Sequence, residues 1–372
     1  MFTLMYPERI IFGCNALEQL SEEAARFGRR VLLVSGHRAM RKSGILDRVV
    51  NQLDSGKMEV TLFDEVEHDP SLGTVDKGIK LAREKECEIV VGLGGGSALD
   101  VAKAVACLSK LKGHPREYHQ GREVEAAGLP FVAIPTTAGT GAEITSNSVI
   151  TDREKKVKKS IRSPYMIARV ALVDPLLTLS LPAKLTAYTG MDALTQAVES
   201  FICRTSNPIS DSLALRAIDL LFHNLPEAVR EGENVEIREK VALGSLLSAM
   251  AFSQTGVGAV HALSHPVGAR FGVPHGLACA VLLPWVMKCN LEVCREKFSL
   301  LAYQMGREKP EEVPQVLREL LKEVGISPTL KEWRIREDDF SLLISQSRGG
   351  TMSKNPRKMS DEELKEILRK VI

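Results

Sequence analysis

The sequence predicts an α/β domain built on a parallel sheet, followed by an all-helical domain. Three observations carry this. Short apolar runs alternate with helical periodicity through the first half, the pattern of successive βαβ units. After about Leu176 strand signals become scarce and one helical pattern follows another. The chain has 372 residues, more than one average domain, which favours two. The expected partition is 1–175 and 176–372, with the change of character falling in 160–182.

The first strand candidate in the alternation is Arg30-Val31-Leu32-Leu33-Val34, a short apolar run of the kind buried on both faces of a parallel sheet. Met40 to Leu53 then repeats with helical period. Val60-Thr61-Leu62-Phe63 is a second strand, and Leu72 to Glu86 a second helix. Glu88-Ile89-Val90-Val91-Gly92 is a strand that runs into a glycine cluster, and Ala98 to Lys110 is the helix beyond it. Phe131-Val132-Ala133-Ile134-Pro135 is the next strand. The helical half reads as 183–203, 208–230, 235–254, 257–271, 277–290, 291–305 and 313–324. A last helix, 361–371, has Ser360 at its N-cap position.

Composition excludes several classes of function. Hydrophobic residues at 44% and charged residues at 26% suit a soluble globular chain rather than a disordered or membrane-embedded one. A net charge of +2 gives no electrostatic reason for nucleic acid or an anionic membrane as partner. The seven cysteines include no CxxC pair, so neither a zinc ribbon nor a disulfide framework is expected. They read as scattered thiols in a reducing compartment. The N-terminus shows no basic start followed by an apolar core. The longest apolar run, 277–287, is too short to span a bilayer. A cytoplasmic protein is expected.

Gly92-Leu93-Gly94-Gly95-Gly96-Ser97 follows a strand and opens a helix. Glycine lets the backbone approach an anion closely. The helix N-terminus adds free N–H donors and partial positive charge, so the segment can hold a pyrophosphate. It lies after a late strand, not at the first βα turn, Ser35-Gly36-His37, and so departs from the standard dinucleotide fingerprint. A second polar turn, 135–143, offers the hydroxyls of Thr136, Thr137 and Thr140 to the same ligand.

Three of the eight histidines, His261, His265 and His275, fall within 15 residues. His261 and His265 are four apart on a predicted helix and share a face. His275 opens the next helix. Asp192 stands out on an otherwise apolar helix, and a buried Asp needs a partner that a divalent cation can supply. Singly, each of these residues is an ordinary core or capping group. Together they suit a zinc or ferrous ion.

These segments together resemble the iron-containing (group III) alcohol dehydrogenase family of the dehydroquinate synthase-like superfamily. The resemblance runs over almost the whole chain. It rests on Gly94-Gly95-Gly96-Ser97-Ala98-Leu99-Asp100-Val101-Ala102-Lys103, on 135–143, and on Gly190-Met191-Asp192-Ala193-Leu194. It rests also on His261-Ala262-Leu263-Ser264-His265-Pro266, Pro274-His275-Gly276 and Asn355-Pro356-Arg357. It implies a Rossmann-like N-terminal domain and a helical C-terminal domain, with nicotinamide cofactor, divalent metal and a small substrate held in the cleft between them. It implies hydride transfer between an alcohol and its aldehyde or ketone. By resemblance, Asp192, His261 and His275 are metal ligands. His265 lies beside the metal as catalytic proton-relay contact. Gly36, Gly94, Gly95, Gly96, Ser97, Asp100, Thr136, Thr137, Thr140 and Lys158 are cofactor contacts; Lys158 also belongs to a charge run with Lys155, Lys156 and Lys159. A homodimer formed through the N-terminal strand, 9–13, is implied as well.

Two departures bear on function. Most metal-dependent members carry a histidine four residues after the aspartate, where this chain has Gln196. Gln196 is then a weak oxygen ligand, a group that orients water, or no ligand at all, since three protein ligands and an open position are normal for catalytic zinc. Metal-independent reductases and glycerol-type polyol dehydrogenases of the same superfamily are the alternatives. A degenerate nucleotide-binding regulator is the non-enzyme alternative. Second, Gly36 stands where NAD-preferring members often have an aspartate. That absence removes a charge that would repel a 2′-phosphate, and Arg38, Arg41 or Lys42 can pair with one. NADP(H) is therefore expected to be accepted. Segments 190–200 and 255–275 carry only Arg270 as a positive charge, which favours a small neutral substrate.

Overall fold

The computed structural model of the protein describes residues 1–155 and 157–372. The chain forms two compact units. One comprises Met5–Thr137 and Gly141–Ser180; the other comprises Met1–Leu4, Ala138–Thr140 and Leu181–Ile372.

The α/β unit holds strands β1 (Arg9–Phe12), β2 (Arg30–Gly36), β3 (Glu59–Val66), β4 (Ile89–Gly94) and β5 (Phe131–Pro135). After them come β6 (Asn147–Asp152), β7 (Val157–Arg162) and β8 (Val170–Val173). Six of these make a parallel sheet in the order β1-β8-β5-β4-β2-β3. Successive strand residues point to opposite faces. Leu32, Val34, Val90 and Ala133 therefore enter one core, while Val31, Leu33, Ile89, Val91 and Val132 enter another. Burial on both faces is why the central strands read as unbroken apolar runs. The connecting helices are α1 (Leu20–Ala25), α2 (Ala39–Lys42), α3 (Ile45–Ser55), α4 (Leu72–Glu84), α5 (Gly96–Leu108) and α6 (Pro115–His119).

The helical period of Met40 to Leu53 is not one helix. Gly44, at φ +73°, breaks it into α2 and α3. The antiparallel hairpin β6–β7 escaped sequence reading because β7 is largely exposed and lysine-bearing, so no apolar alternation marks it. Lys103 of α5 is buried beneath this region. Its Nζ donates to the Thr145 carbonyl at 2.7 Å, the Thr145 hydroxyl at 3.1 Å and the Asn147 carbonyl at 3.0 Å. Burial lowers its pKa to about 8.

The helical unit contains α7 (Ala183–Ile202), α8 (Pro208–Arg230), α9 (Val235–Thr255), α10 (Ala259–Phe271) and α11 (His275–Asn290). It continues with α12 (Arg295–Gln304), α13 (Val313–Glu323), α14 (Glu337–Ser347), α15 (Gly350–Ser353) and α16 (Asp361–Val371). Helix α11 is the central element. Its residues Ala278 to Leu283 are all fully buried, which explains why it is apolar all round. The expected single helix over 291–305 is instead a 3-10 turn, Glu292–Cys294, leading into α12. Ser360 caps α16 in a reciprocal box: the Glu363 amide donates to the Ser360 hydroxyl at 3.2 Å, and the Ser360 amide to Glu363 Oε2 at 2.8 Å. Among the described residues, no single helix is long and apolar enough to cross a membrane.

Candidate functional site

In the α/β unit the strand order reverses between β2 and β4: β3 lies outward of β2, and β5 outward of β4. The carboxyl ends of strands at such a reversal form the crevice where open α/β sheets bind ligands. The two ends are aligned, Ser35 opposite Leu93, so Gly36 and Gly94 emerge side by side. Gly94 has φ +142°, and a Cβ there would lie 2.9 Å from the Ala98 methyl. Gly95 precedes α5 and leaves its first turn without a side-chain cap, so amides of Gly96 and Ser97 remain available to an anion. The Thr136 amide donates to the Gly94 carbonyl at 3.0 Å. A Cβ on Gly95 would meet the Thr137 methyl at 3.2 Å. The structure thus brings Gly36, Gly94, Gly95 and the Thr136–Thr137 turn together. Thr140 falls in the short stretch that clusters with the helical unit.

Two other predicted cofactor contacts have partners within the fold. Asp100 accepts from the Val149 amide at 3.1 Å. Burial raises its pKa to about 6, against the opposing pull of Lys103, that amide and Lys158. Lys158, on β7, is ion-paired with Asp69. Lys156 of the same charge run lies outside the described residues.

In the helical unit three helices converge. Helix α7 presents Asp192, Gln196 and Glu199, at a spacing that puts them on one face. Helix α10 presents His261 and His265. Helix α11 presents His275 and Cys279. Close backbone approach makes this possible: a Cβ on Gly276 would lie 2.0 Å from the Tyr188 carbonyl oxygen, so α11 rests directly on α7. Asp192 Oδ1 is 3.3 Å from His261 Nε2 and 3.5 Å from His275 Nε2. Cys279 Sγ is 3.7 Å from His275 Nε2. One donor atom from each of Asp192, His261, His275 and Cys279 lies within 4.8 Å of all the others. His265 is exposed, and its ring stacks on that of His275 at 5.4 Å between centroids.

Helix α7 is not otherwise apolar, as the sequence suggested; it also buries Glu199. That carboxylate accepts from His261 Nδ1 at 2.6 Å and from the Val260 amide at 2.6 Å. It therefore supplies the N-terminal cap that Gly258 cannot give α10. Since a carboxylate only accepts, Nδ1 of His261 carries a hydrogen, which leaves Nε2 as the nitrogen that can offer a lone pair to a cation.

Nε2 faces the Asp192 carboxylate. Asp192 Oδ1, His261 Nε2 and Gln196 Oε1 are all buried without a hydrogen-bond partner. Two buried oxygen acceptors and an imidazole nitrogen left without partners are costly. A divalent cation would satisfy them, so these residues fit the metal that the resemblance implies. Electrostatics agree. Burial opposes charge on the imidazoles and on the thiol, yet their mutual attraction prevails. Against the cost of burying its charge, Cys279, Asp192 and Glu199 hold His261 well above its ordinary pKa. Cys279 and Asp192 likewise raise His275, and the two imidazoles lower Cys279. The site favours positive charge at its centre.

Sequence reading missed Cys279 and Glu199. Cys279 was placed among scattered thiols, although it sits four residues after His275 on one helix face. Glu199 lies seven residues after Asp192, again one face on.

Comparison with known proteins extends this geometry to a family. A model of the iron-containing alcohol dehydrogenases matches residues 7–175, and one of their C-terminal domain matches residues 186–372. The 1,3-propanediol dehydrogenase of Klebsiella pneumoniae is 37% identical, over 99% of this chain and 98% of its own. The NADPH-dependent butanol dehydrogenase of Clostridium saccharobutylicum is 36% identical, over 98% and 96%. A crystal structure of a 1,3-propanediol oxidoreductase superposes with a TM-score of 0.95 at 37% identity, covering 99% of each chain. With a glycine turn at the sheet reversal, a buried Asp–His–His cluster and matches spanning both halves, the chain belongs to the iron-containing alcohol dehydrogenase family.

Proposed function

We propose that this enzyme interconverts a small, uncharged alcohol and its aldehyde or ketone, using NAD(P)(H) and one divalent metal ion. The observation that carries this reading is the convergence of bare, buried Asp192 Oδ1 and His261 Nε2 beside His275. A metal held there supplies Lewis-acid polarisation of the substrate oxygen, and the nicotinamide supplies or accepts the hydride. The chain's residues do the rest. Asp192, His261 and His275 hold the ion, and Glu199 fixes the tautomer and tilt of His261. His265, exposed and stacked on His275, carries the proton between substrate and water. Gly94 to Ser97 bind the pyrophosphate through backbone amides, with Gly36, Thr136, Thr137, Thr140, Asp100 and Lys158 around the nucleotide.

NADPH is accepted in this reading. Gly36 has no carboxylate to repel a 2′-phosphate. Arg41 is already paired with Asp64 at 2.6 Å, so exposed Arg38 and Lys42 are the cations to meet it. The similarity to an NADPH-dependent butanol dehydrogenase supports this. Strand β1 lies at the sheet edge, and pairing of two such edges supports a homodimer.

The test is turnover of NADH and NADPH with short aldehydes and ketones, using protein purified without oxygen. Activity lost on chelation and restored by Fe²⁺ or Zn²⁺ is expected, with NADPH within about tenfold of NADH, or ~1.4 kcal/mol. Activity indifferent to metal content in metal-free protein overturns the metal-dependent reading in favour of a metal-independent reductase. An NADH preference well beyond tenfold overturns the cofactor assignment.

A further inference from the structure

We infer that Cys279 is a metal ligand of this enzyme, completing an Asp192–His261–His275–Cys279 set that selects zinc. The inference rests on the metal-dependent reading above.

Donor spacing is the first argument. An ion with bonds of about 2.0–2.3 Å to O, N and S holds tetrahedral donors roughly 3.3–3.6 Å apart. The O–N separations here are 3.3 and 3.5 Å, and the sulfur–nitrogen separation is 3.7 Å. Three of the six donor separations thus match the edges of such a tetrahedron, and all four donor atoms lie within 4.8 Å of one another.

The second argument is chemical. Gln196 offers a neutral amide oxygen, which holds zinc or iron weakly beside an imidazole. A thiolate is a strong, soft donor that favours zinc over ferrous iron. Cys279 is fully buried on a central helix and forms no disulfide. It lies one helical turn from His275, so a single rigid element fixes both donors. Zinc can expand to five-coordinate during turnover, so four protein donors still admit substrate.

Two measurements on the full-length protein test this. The first is zinc X-ray absorption of the wild-type enzyme. One sulfur neighbour at about 2.3 Å per zinc is expected. A shell of only nitrogen and oxygen overturns the inference while leaving the metal-dependent reading intact.

The second is cobalt substitution of chelated protein. Wild type should take up one Co²⁺ and show both ligand-field bands and a near-ultraviolet thiolate-to-cobalt charge-transfer band. Cys279→Ser should keep the ligand-field bands, lose the charge-transfer band, and bind zinc at least tenfold more weakly in chelator competition. Retention of the charge-transfer band in Cys279→Ser overturns the assignment. Failure of wild type to take up cobalt or zinc at all overturns the metal-dependent reading itself. Should Cys279→Ser not fold, the wild-type X-ray absorption decides alone.

Discussion

Glu199 accepts hydrogen bonds from the ring of His261 and from the backbone that begins α10. One buried carboxylate thus orients the proposed metal ligand His261 and caps the helix that carries it. Glu199→Gln keeps the size but removes the charge and leaves the His261 tautomer unspecified. Metal affinity should fall roughly 10–100-fold, read by chelator competition, while nucleotide binding to the other unit stays unchanged. Unaltered affinity would mean that Glu199 only caps the helix.

Legibility at this scale followed each residue's usual habit. Asp192, His261 and His275 were readable because His at i,i+4 and a lone Asp among apolar neighbours break the ordinary pattern of a core helix. Glu199 was not, because glutamate on a helix is normally a solvated face; only the facing start of α10 gives it a reason to be buried. Cys279 was not, because a buried thiol is an ordinary core residue. Its neighbours in space, not in sequence, make it a donor.

At the scale of elements, the site depends on how closely helices approach. Gly276 lets α11 rest on the backbone of α7 at Tyr188, where no rotamer change can relieve an added methyl. Gly276→Ala should therefore destabilise the protein by about 1–3 kcal/mol, measured by denaturant unfolding. It should also weaken metal binding by moving His275 and Cys279 away from Asp192. An alanine variant with wild-type stability and metal affinity would show that α11 can shift without consequence. The long helices were legible from periodicity and caps, as with 208–230 and 361–371. The hairpin β6–β7 was not, since β7 is largely exposed and lysine-bearing and leaves little trace in hydropathy. The break at Gly44 was hidden because a single glycine inside a helical pattern is often tolerated.

At the scale of the molecule, alternation and then its loss foretold an α/β unit and a helical one, each with its own core. What periodicity does not encode is the interleaving, in which Met1–Leu4 and Ala138–Thr140 cluster with the helical unit. Those short stretches carry no hydropathic pattern of their own. The division has a calorimetric consequence. Asp192, His261, His275 and Cys279 all belong to one unit, so binding energy from the ion enters that unit's unfolding directly. At a free metal concentration a hundred times Kd, the gain is about 2.7 kcal/mol. A scanning calorimetry trace of metal-loaded protein should therefore shift upward for the helical unit's transition, and chelation should reverse that shift. A uniform shift of the whole trace would instead mean that the two units melt as one. On this reading metal supply sets the stability of the helical unit, and with it how often a protease meets that unit unfolded.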